Sequence, residues 1–252
     1  MLARRLRKKL LFATRSWKGE AEKHIKDLLL CEACEDLFDQ NGESEVMLHV
    51  VPKLVTRFPL HEKLRLALPR EDHPDLKRFS GIDLGIDMDK FAYFALSLVW
   101  RPAVHDWEMP DGSILPRMAL GDFESPIRRY LLGGEFPSHT AVIVIVCSDS
   151  GARKVWNTPT VNVEVNCLNF RFLMRGVFFR VMMGHGLPNY FRECCCRSPR
   201  KCLFYGSAEH RMPEIMAILE DAPENIRVVP HRTSHSDVAL DCNPDFAVRS
   251  GV

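Results

Sequence analysis

Two cysteines set three apart, Cys31 and Cys34 in LLLCEACEDLF (28–38), are the first residues that suggest chemistry. A C-x-x-C knuckle presents two thiolates to one metal ion, and a structural zinc takes four such ligands. Further donors lie far downstream. Cys194, Cys195, Cys196, Cys202 and His210 stand in RECCCRSPRKCLFYGSAEH, and His231, His235 and Cys242 follow. Neither group has zinc-finger spacing, so the plain reading of the later cysteines is reduced thiols. The nine cysteines, three of them adjacent, fit no disulfide framework. Reduced thiols lead to the expectation of an intracellular, cytoplasmic protein.

Basic groups form a second set. Arg4, Arg5, Arg7, Lys8 and Lys9 crowd the first residues, with no acid before Glu20. Leu2, Leu6, Leu10, Ala13 and Trp17 recur at helical spacing, which predicts a helix with one apolar stripe and one basic face. IRRY (127–130) supplies Arg128 and Arg129, and RSPRK (197–201) supplies Arg197 and Arg200. Guanidinium and ammonium groups in such runs either solvate a surface or contact phosphates. A net charge of +1 over 252 residues exerts no global pull on nucleic acid, so any attraction is local. WRPAVHDW (100–107) sets His105 beside Asp106, an arrangement able to move protons. No serine or cysteine nucleophile motif stands near it. The plainer reading is a packing motif at a helix end, with Arg101 paired to Asp106 or Glu124. No apolar run approaches the ~20 residues of a membrane span.

These residues need elements to hold them. Residues 20–40 read as a helix or turn, the knuckle, and a short helix stopping at Asn41-Gly42. HVVPKLVTRF (49–58) has room for a short strand, and PREDHPDLKRFSG (69–81) reads as a polar loop with a domain boundary near residue 80. DMDKFAYFALSLVWRP (87–102) is apolar almost all round. It predicts a buried central helix capped by Asp87, ended by Pro102, with Phe94 and Leu98 in the core. GDFESPIRRYLLGG (121–134) predicts another helix, capped by Asp122 or Ser125. Ile127, Tyr130 and Leu131 turn inward and Gly133 takes the left-handed end. TAVIVIVC (140–147) is a buried strand, and TVNVEVNCL (160–168) alternates as one strand with Val161, Val163, Val165 and Cys167 on one face. FRFLMRGVFFRVMMG (170–184) follows, with Gly176 at a bulge or turn. Consecutive strands without intervening helices predict an antiparallel sheet and an α+β fold. The expected organisation is a basic helix plus a zinc-ribbon-like piece at 1–80, an α+β core at 81–205, and a loosely ordered tail at 206–252.

KDLLLCEACEDLFDQNGE, FALSLVWRPAVHDW, LGDFESPIRRYLLG and FPSHTAVIVIV together resemble a bacterial protein family whose members begin with a zinc-ribbon region like that of His-Asn-His nucleases. The resemblance covers about residues 25–205. It implies that Cys31 and Cys34 are metal ligands, one half of a zinc site whose other half lies upstream in relatives, with a Ser-His-x-x-Pro segment that this sequence lacks. It also sets out what a nuclease would require: a divalent ion such as Mg²⁺ and a water-activating histidine. Glu35 stands where such a nuclease often carries a metal-binding histidine. LHVVPK (48–53) is similar to the nuclease histidine strand, which makes His49 the candidate base, yet it follows the knuckle instead of preceding it.

The expected function is nucleic-acid association, with DNA or RNA held by Arg4, Arg5, Arg7, Lys8, Lys9, Arg128, Arg129, Arg197 and Arg200, and with catalysis lost. The alternatives are an active metal-dependent endonuclease using Glu35 and His49, and a protein-interaction module without nucleic acid.

Overall fold

The structure, a computed structural model, describes residues 11–13, 18–20, 29–51, 57–108, 114–115, 117–164 and 166–207. The basic stretch with Arg4, Arg5, Arg7, Lys8 and Lys9 lies outside the described residues, as do the tail after Ser207 and its donors His210, His231, His235 and Cys242.

The described helices are α1 (Glu32–Phe38), α2 (Ser44–Val50), α3 (Pro59–Leu66), α4 (Met88–Val104), α5 (Glu124–Leu131) and α6 (Asn189–Glu193). The strands are β1 (Leu11–Ala13), β2 (Lys18–Glu20), β3 (Glu71–His73), β4 (Leu76–Ser80), β5 (Trp107–Glu108), β6 (Ile114–Leu115), β7 (Thr140–Cys147), β8 (Val155–Asn157), β9 (Thr160–Glu164), β10 (Cys167–Met174), β11 (Val177–Met183) and β12 (Cys202–Gly206). Ten strands form one sheet in the order β2-β1-β8-β10-β11-β7-β12-β4-β3, with β9 also on β10. Its pairings are antiparallel except β1 with β8 and β7 with β12. The fold is α+β.

Strand alternation builds two cores. Val142, Val144 and Val146 of β7 join Phe170, Phe172, Phe179 and Leu203 under the helices. Ala141, Ile143, Ile145 and Cys147 face the other way, into a smaller cluster with Leu173, Phe178, Phe191, Cys195, Cys202 and Phe204. β7 is buried on both faces, which explains its unbroken β-branched run. α4 lies over the larger core. Asp87 caps it by accepting from the N–H groups of Asp89 and Lys90 at 3.0 and 3.3 Å. Phe91 and Phe94 meet Phe179 at ring-centroid distances of 6.3 and 5.7 Å. Phe94 is in this core, as expected, whereas Leu98 is only partly buried at its margin.

Several expectations need correction. The first helical segment does not stop at Asn41-Gly42. A π-helical turn, Asp39–Glu43, carries it straight into α2. Gly42 is buried there because α4 passes close by: a Cβ at Gly42 would sit 3.0 Å from the Phe94 amide nitrogen and from Tyr93 Cδ1. Pro102 does not end α4, which runs on to Val104. The proline sits in the last turn, and its carbonyl is used from outside, accepting from Met118 N–H at 2.9 Å. His49 and Val50 lie in α2 and not in a strand. The polar segment at 69–81 is the β3–β4 hairpin, whose side chains are polar because they pair across the strands near the sheet's margin. Its pairing with β12 draws residues 71–80 into the same sheet as the rest, so the boundary expected near residue 80 does not divide the structure.

The alternating stretch 160–168 is likewise not one strand. It divides into the two antiparallel strands of the β9–β10 hairpin, with Glu164 opposite Cys167 and Asn166 at φ 56°. α5 has no side-chain cap from Asp122 or Ser125; a 3-10 turn, Gly121–Phe123, leads into it. Ile127, Tyr130 and Leu131 are buried, and Gly133 takes φ 94° at its end, as expected. Gly176 (φ 82°) and Arg175 (φ 48°) make the two-residue turn between β10 and β11.

Candidate functional site

Cys31 precedes α1, and its carbonyl accepts from the N–H groups of Cys34 and Glu35 at 2.9 and 3.0 Å. The Cys34 backbone N–H and thiol hold Cys31 below the ordinary thiol range, while the sulfur contact with Cys31 pushes Cys34 up. Cys31 stands exposed just before the helix, a setting that favours its thiolate. Among the described residues, no group of three or more His, Cys, Asp or Glu is arranged to hold a metal ion. Two ligands do not complete a structural zinc site, so these residues fit only half of one.

The downstream cysteines are used elsewhere. Cys195 Sγ accepts from the N–H groups of Val142 and Arg197 at 3.3 and 3.4 Å. The neighbouring Cys196 thiol and these amides pull Cys195 down to about 7, whereas burial pushes Cys196 up. Cys202 is buried in β12 and contacts the Glu193 carbonyl at 3.4 Å. These thiols seat the 194–201 turn on the sheet.

Glu35 and His49 occupy opposite environments. Glu35 is exposed on α1. His49 is buried in α2, its Nε2 3.1 Å from Glu45 Oε1 and its ring 6.1 Å from that of Phe91. Glu45 Oε1 also accepts from Asp87 N–H at 3.2 Å, at the start of α4. This histidine therefore locks α2 to α4. An exposed strand histidine, which the nuclease arrangement requires, is not what the fold makes of it.

The two members of the His105–Asp106 pair are engaged by other side chains. Arg117 binds Asp106 with two bonds of 2.8 Å and holds its carboxyl below the usual carboxylate range. His105 packs edge-on to Trp107 at 5.0 Å. Arg101 bonds to Glu43 and lies 5.3 Å from the Phe38 ring centre, not to Asp106 or Glu124. Glu124 instead accepts from Trp100 Nε1 at 3.1 Å.

The arginines divide by environment. Arg128 and Arg129 are exposed on α5, and Arg200 is exposed on the turn before β12. Arg197 is half-buried and tied in. Its guanidinium lies 5.7 Å from the ring centre of Tyr130 and 5.0 Å from that of Phe136, donates to Tyr130 Oη at 3.2 Å, and pairs with Asp89 at 3.1 Å. Lys201 shares Asp89 at 2.6 Å.

Sequence reasoning missed one feature. Arg70, Arg78, Ser80, Ile82, Pro199 and Arg200 line an open cleft of about 310 Å³. Arg70 and Arg78 carried no motif, and only the cross-strand register brings them to Arg200.

Comparison with known proteins adds no relative: no family model matches the chain, and no match is found among curated proteins or solved structures.

Proposed function

We propose that this chain is a nucleic-acid-associated protein of the cytoplasm, derived from a zinc-containing family related to His-Asn-His nucleases and without their catalysis. The observation that carries the reading is the contact of Arg197 with Tyr130. It joins residues 67 apart and draws the basic motifs 127–130 and 197–201 onto neighbouring elements. Arg128, Arg129 and Arg200 then present exposed guanidinium groups, and such groups donate to phosphate oxygens in bidentate fashion. Arg197 serves as the brace.

The loss of catalysis rests on His49, whose Nε2 faces Glu45 inside the α2–α4 contact. It is not disposed to take a proton from an attacking water. A zinc on Cys31 and Cys34 needs two further ligands, from outside the described residues. No helix among those residues is long and apolar enough to cross a membrane.

The test is a paired assay of retention and cleavage. Labelled single-stranded and duplex DNA and RNA are incubated with the protein in Mg²⁺ and in Mn²⁺, beside a Glu35→Ala, His49→Ala double variant. Retention without cleavage is expected from both. Cleavage by the wild type that the double variant loses contradicts the loss of catalysis and favours the endonuclease. Absence of retention contradicts the reading altogether and leaves the protein-interaction module.

A further inference from the structure

We propose that the cleft between the β3–β4 hairpin and the turn before β12 binds the phosphate group of a nucleotide. This inference deepens the nucleic-acid reading by assigning a particular phosphate site within it.

The cleft is built by register. Arg78 and Ser80 are two apart on β4, so they share a face. Ser80 pairs with Cys202 of β12, and Gly81 N–H donates to the Lys201 carbonyl at 2.8 Å. These bonds hold Pro199 and Arg200 beside Ser80. On the other side, Arg70 N–H donates to the Arg78 carbonyl at 2.8 Å, which sets Arg70 beside Arg78 just ahead of β3. Three guanidinium groups thus reach one opening from three separate chain positions.

Two of them are already oriented. Arg70 holds Asp83 through Nε and Nη2 at 2.7 and 2.8 Å, and Arg78 holds Glu71 through Nη2. The carboxylates fix the direction of both forks without consuming every donor. Arg78 Nε is enclosed without an acceptor among the described residues, while the guanidinium also meets the Cys202 thiol. Arg200 has no carboxylate partner among the described residues and stands exposed at the rim. Three cations against two anions leave one positive charge in excess, and Arg70 and Arg78 repel each other. An incoming anion relieves that repulsion.

The remaining wall defines the ligand further. Ile82, 66% exposed, and Pro199 are apolar. A bare inorganic ion gains nothing from them, whereas a sugar or base attached to the phosphate covers them. The volume of about 310 Å³ lies at the small end of ligand sites, suited to a single nucleotide unit. That unit is either a free mononucleotide or one residue of a strand, and its phosphate chemistry is the same.

Titration calorimetry with adenosine 5′-monophosphate and with adenosine, and anisotropy with a single-stranded oligonucleotide, separate the two sources. The full chain is used as wild type, Arg200→Glu, Arg70→Gln and Arg128→Glu/Arg129→Glu, each checked for an unchanged melting temperature. Arg200 is exposed and Arg70 sits on an exposed ion pair, so at least one of these two variants is expected to fold normally. Binding of the monophosphate but not of adenosine, weakened about tenfold or more by Arg200→Glu and in part by Arg70→Gln, supports the site with a free nucleotide as ligand. No monophosphate binding, with oligonucleotide affinity reduced by the cleft variants as much as by Arg128→Glu/Arg129→Glu, supports the site with a strand as ligand. Oligonucleotide binding that depends on Arg128 and Arg129 but is indifferent to both cleft variants, with no monophosphate bound, overturns the cleft and leaves the broader reading standing. No binding of either probe by the wild type overturns both.

Discussion

His49 Nε2 lies 3.1 Å from Glu45 Oε1, one helical turn back on α2, and the same carboxylate oxygen takes the Asp87 N–H at the start of α4. One carboxylate thus joins a buried imidazole to the first residues of the central helix. His49→Ala removes a buried hydrogen bond and packing against Phe91. The expected cost is about 1–3 kcal/mol of unfolding free energy, read from urea denaturation. A change below about 0.5 kcal/mol would contradict the locking role.

His61 provides a pH prediction. It is buried between Phe58 and Tyr205, and neither ring nitrogen has a hydrogen-bond partner among the described residues. Burial, with a smaller contribution from Arg153, depresses its pKa from 6.5 to about 4. The unfolded chain therefore binds a proton that the folded chain refuses. The stability from neutral His61 is complete above pH 6.5 and is lost progressively as pH falls from 6.5 toward about 4. The steepest loss is about 1.4 kcal/mol per pH unit from this group. His61→Leu should flatten that part of the stability–pH curve. An unchanged slope in the variant would place the acid sensitivity elsewhere.

Gly42 sets two effects against each other. Alanine is favoured over glycine inside a helix by about 1 kcal/mol. The new Cβ, however, would lie 3.0 Å from the Phe94 amide nitrogen and 3.1 Å from its Cα, and backbone cannot step aside. Overpacking of this kind costs about 1–3 kcal/mol. Gly42→Ala should therefore destabilise, and a stabilised variant would mean that α4 yields.

The central helix gives a graded pair. Phe94 is 2% exposed and packs on Phe179, so Phe94→Ala should cost about 3–5 kcal/mol. Leu98 is only partly buried, and its truncation should cost clearly less. Equal losses in thermal or urea unfolding would contradict the orientation of α4.

Much of this architecture can be read from residue types. The β-branched run of β7 and the apolar circumference of α4, with Asp87 before it, depend on local chemistry alone. The β9–β10 hairpin does not. Glu164 pairs with Cys167, three positions on, so the two share a face and a period of two read straight through the turn puts Cys167 on the wrong one. The β3–β4 hairpin hides behind polar residues because Asp72–Lys77 and Glu71–Arg78 are cross-strand ion pairs. Gly42 looks like a helix stop until its neighbour on α4 is known. The candidate site divides in the same way. Arg128, Arg129, Arg197 and Arg200 stand in visible basic motifs, but Arg197 is turned inward onto Tyr130 and Phe136. Arg70 and Arg78 join Arg200 only through strand register and a turn more than 120 residues later in the chain.

The most direct measurement of nucleic-acid association is the affinity for a single-stranded oligonucleotide as salt rises, for the wild type and for Arg128→Glu/Arg129→Glu. Each phosphate contact releases counterions and contributes about 0.7 to the slope of log K against log salt for single strands. Association through these arginines gives a falling line with a slope of about −2 or steeper, made shallower by about one or more in the double variant. A flat line, or a slope identical in the two proteins, would contradict it.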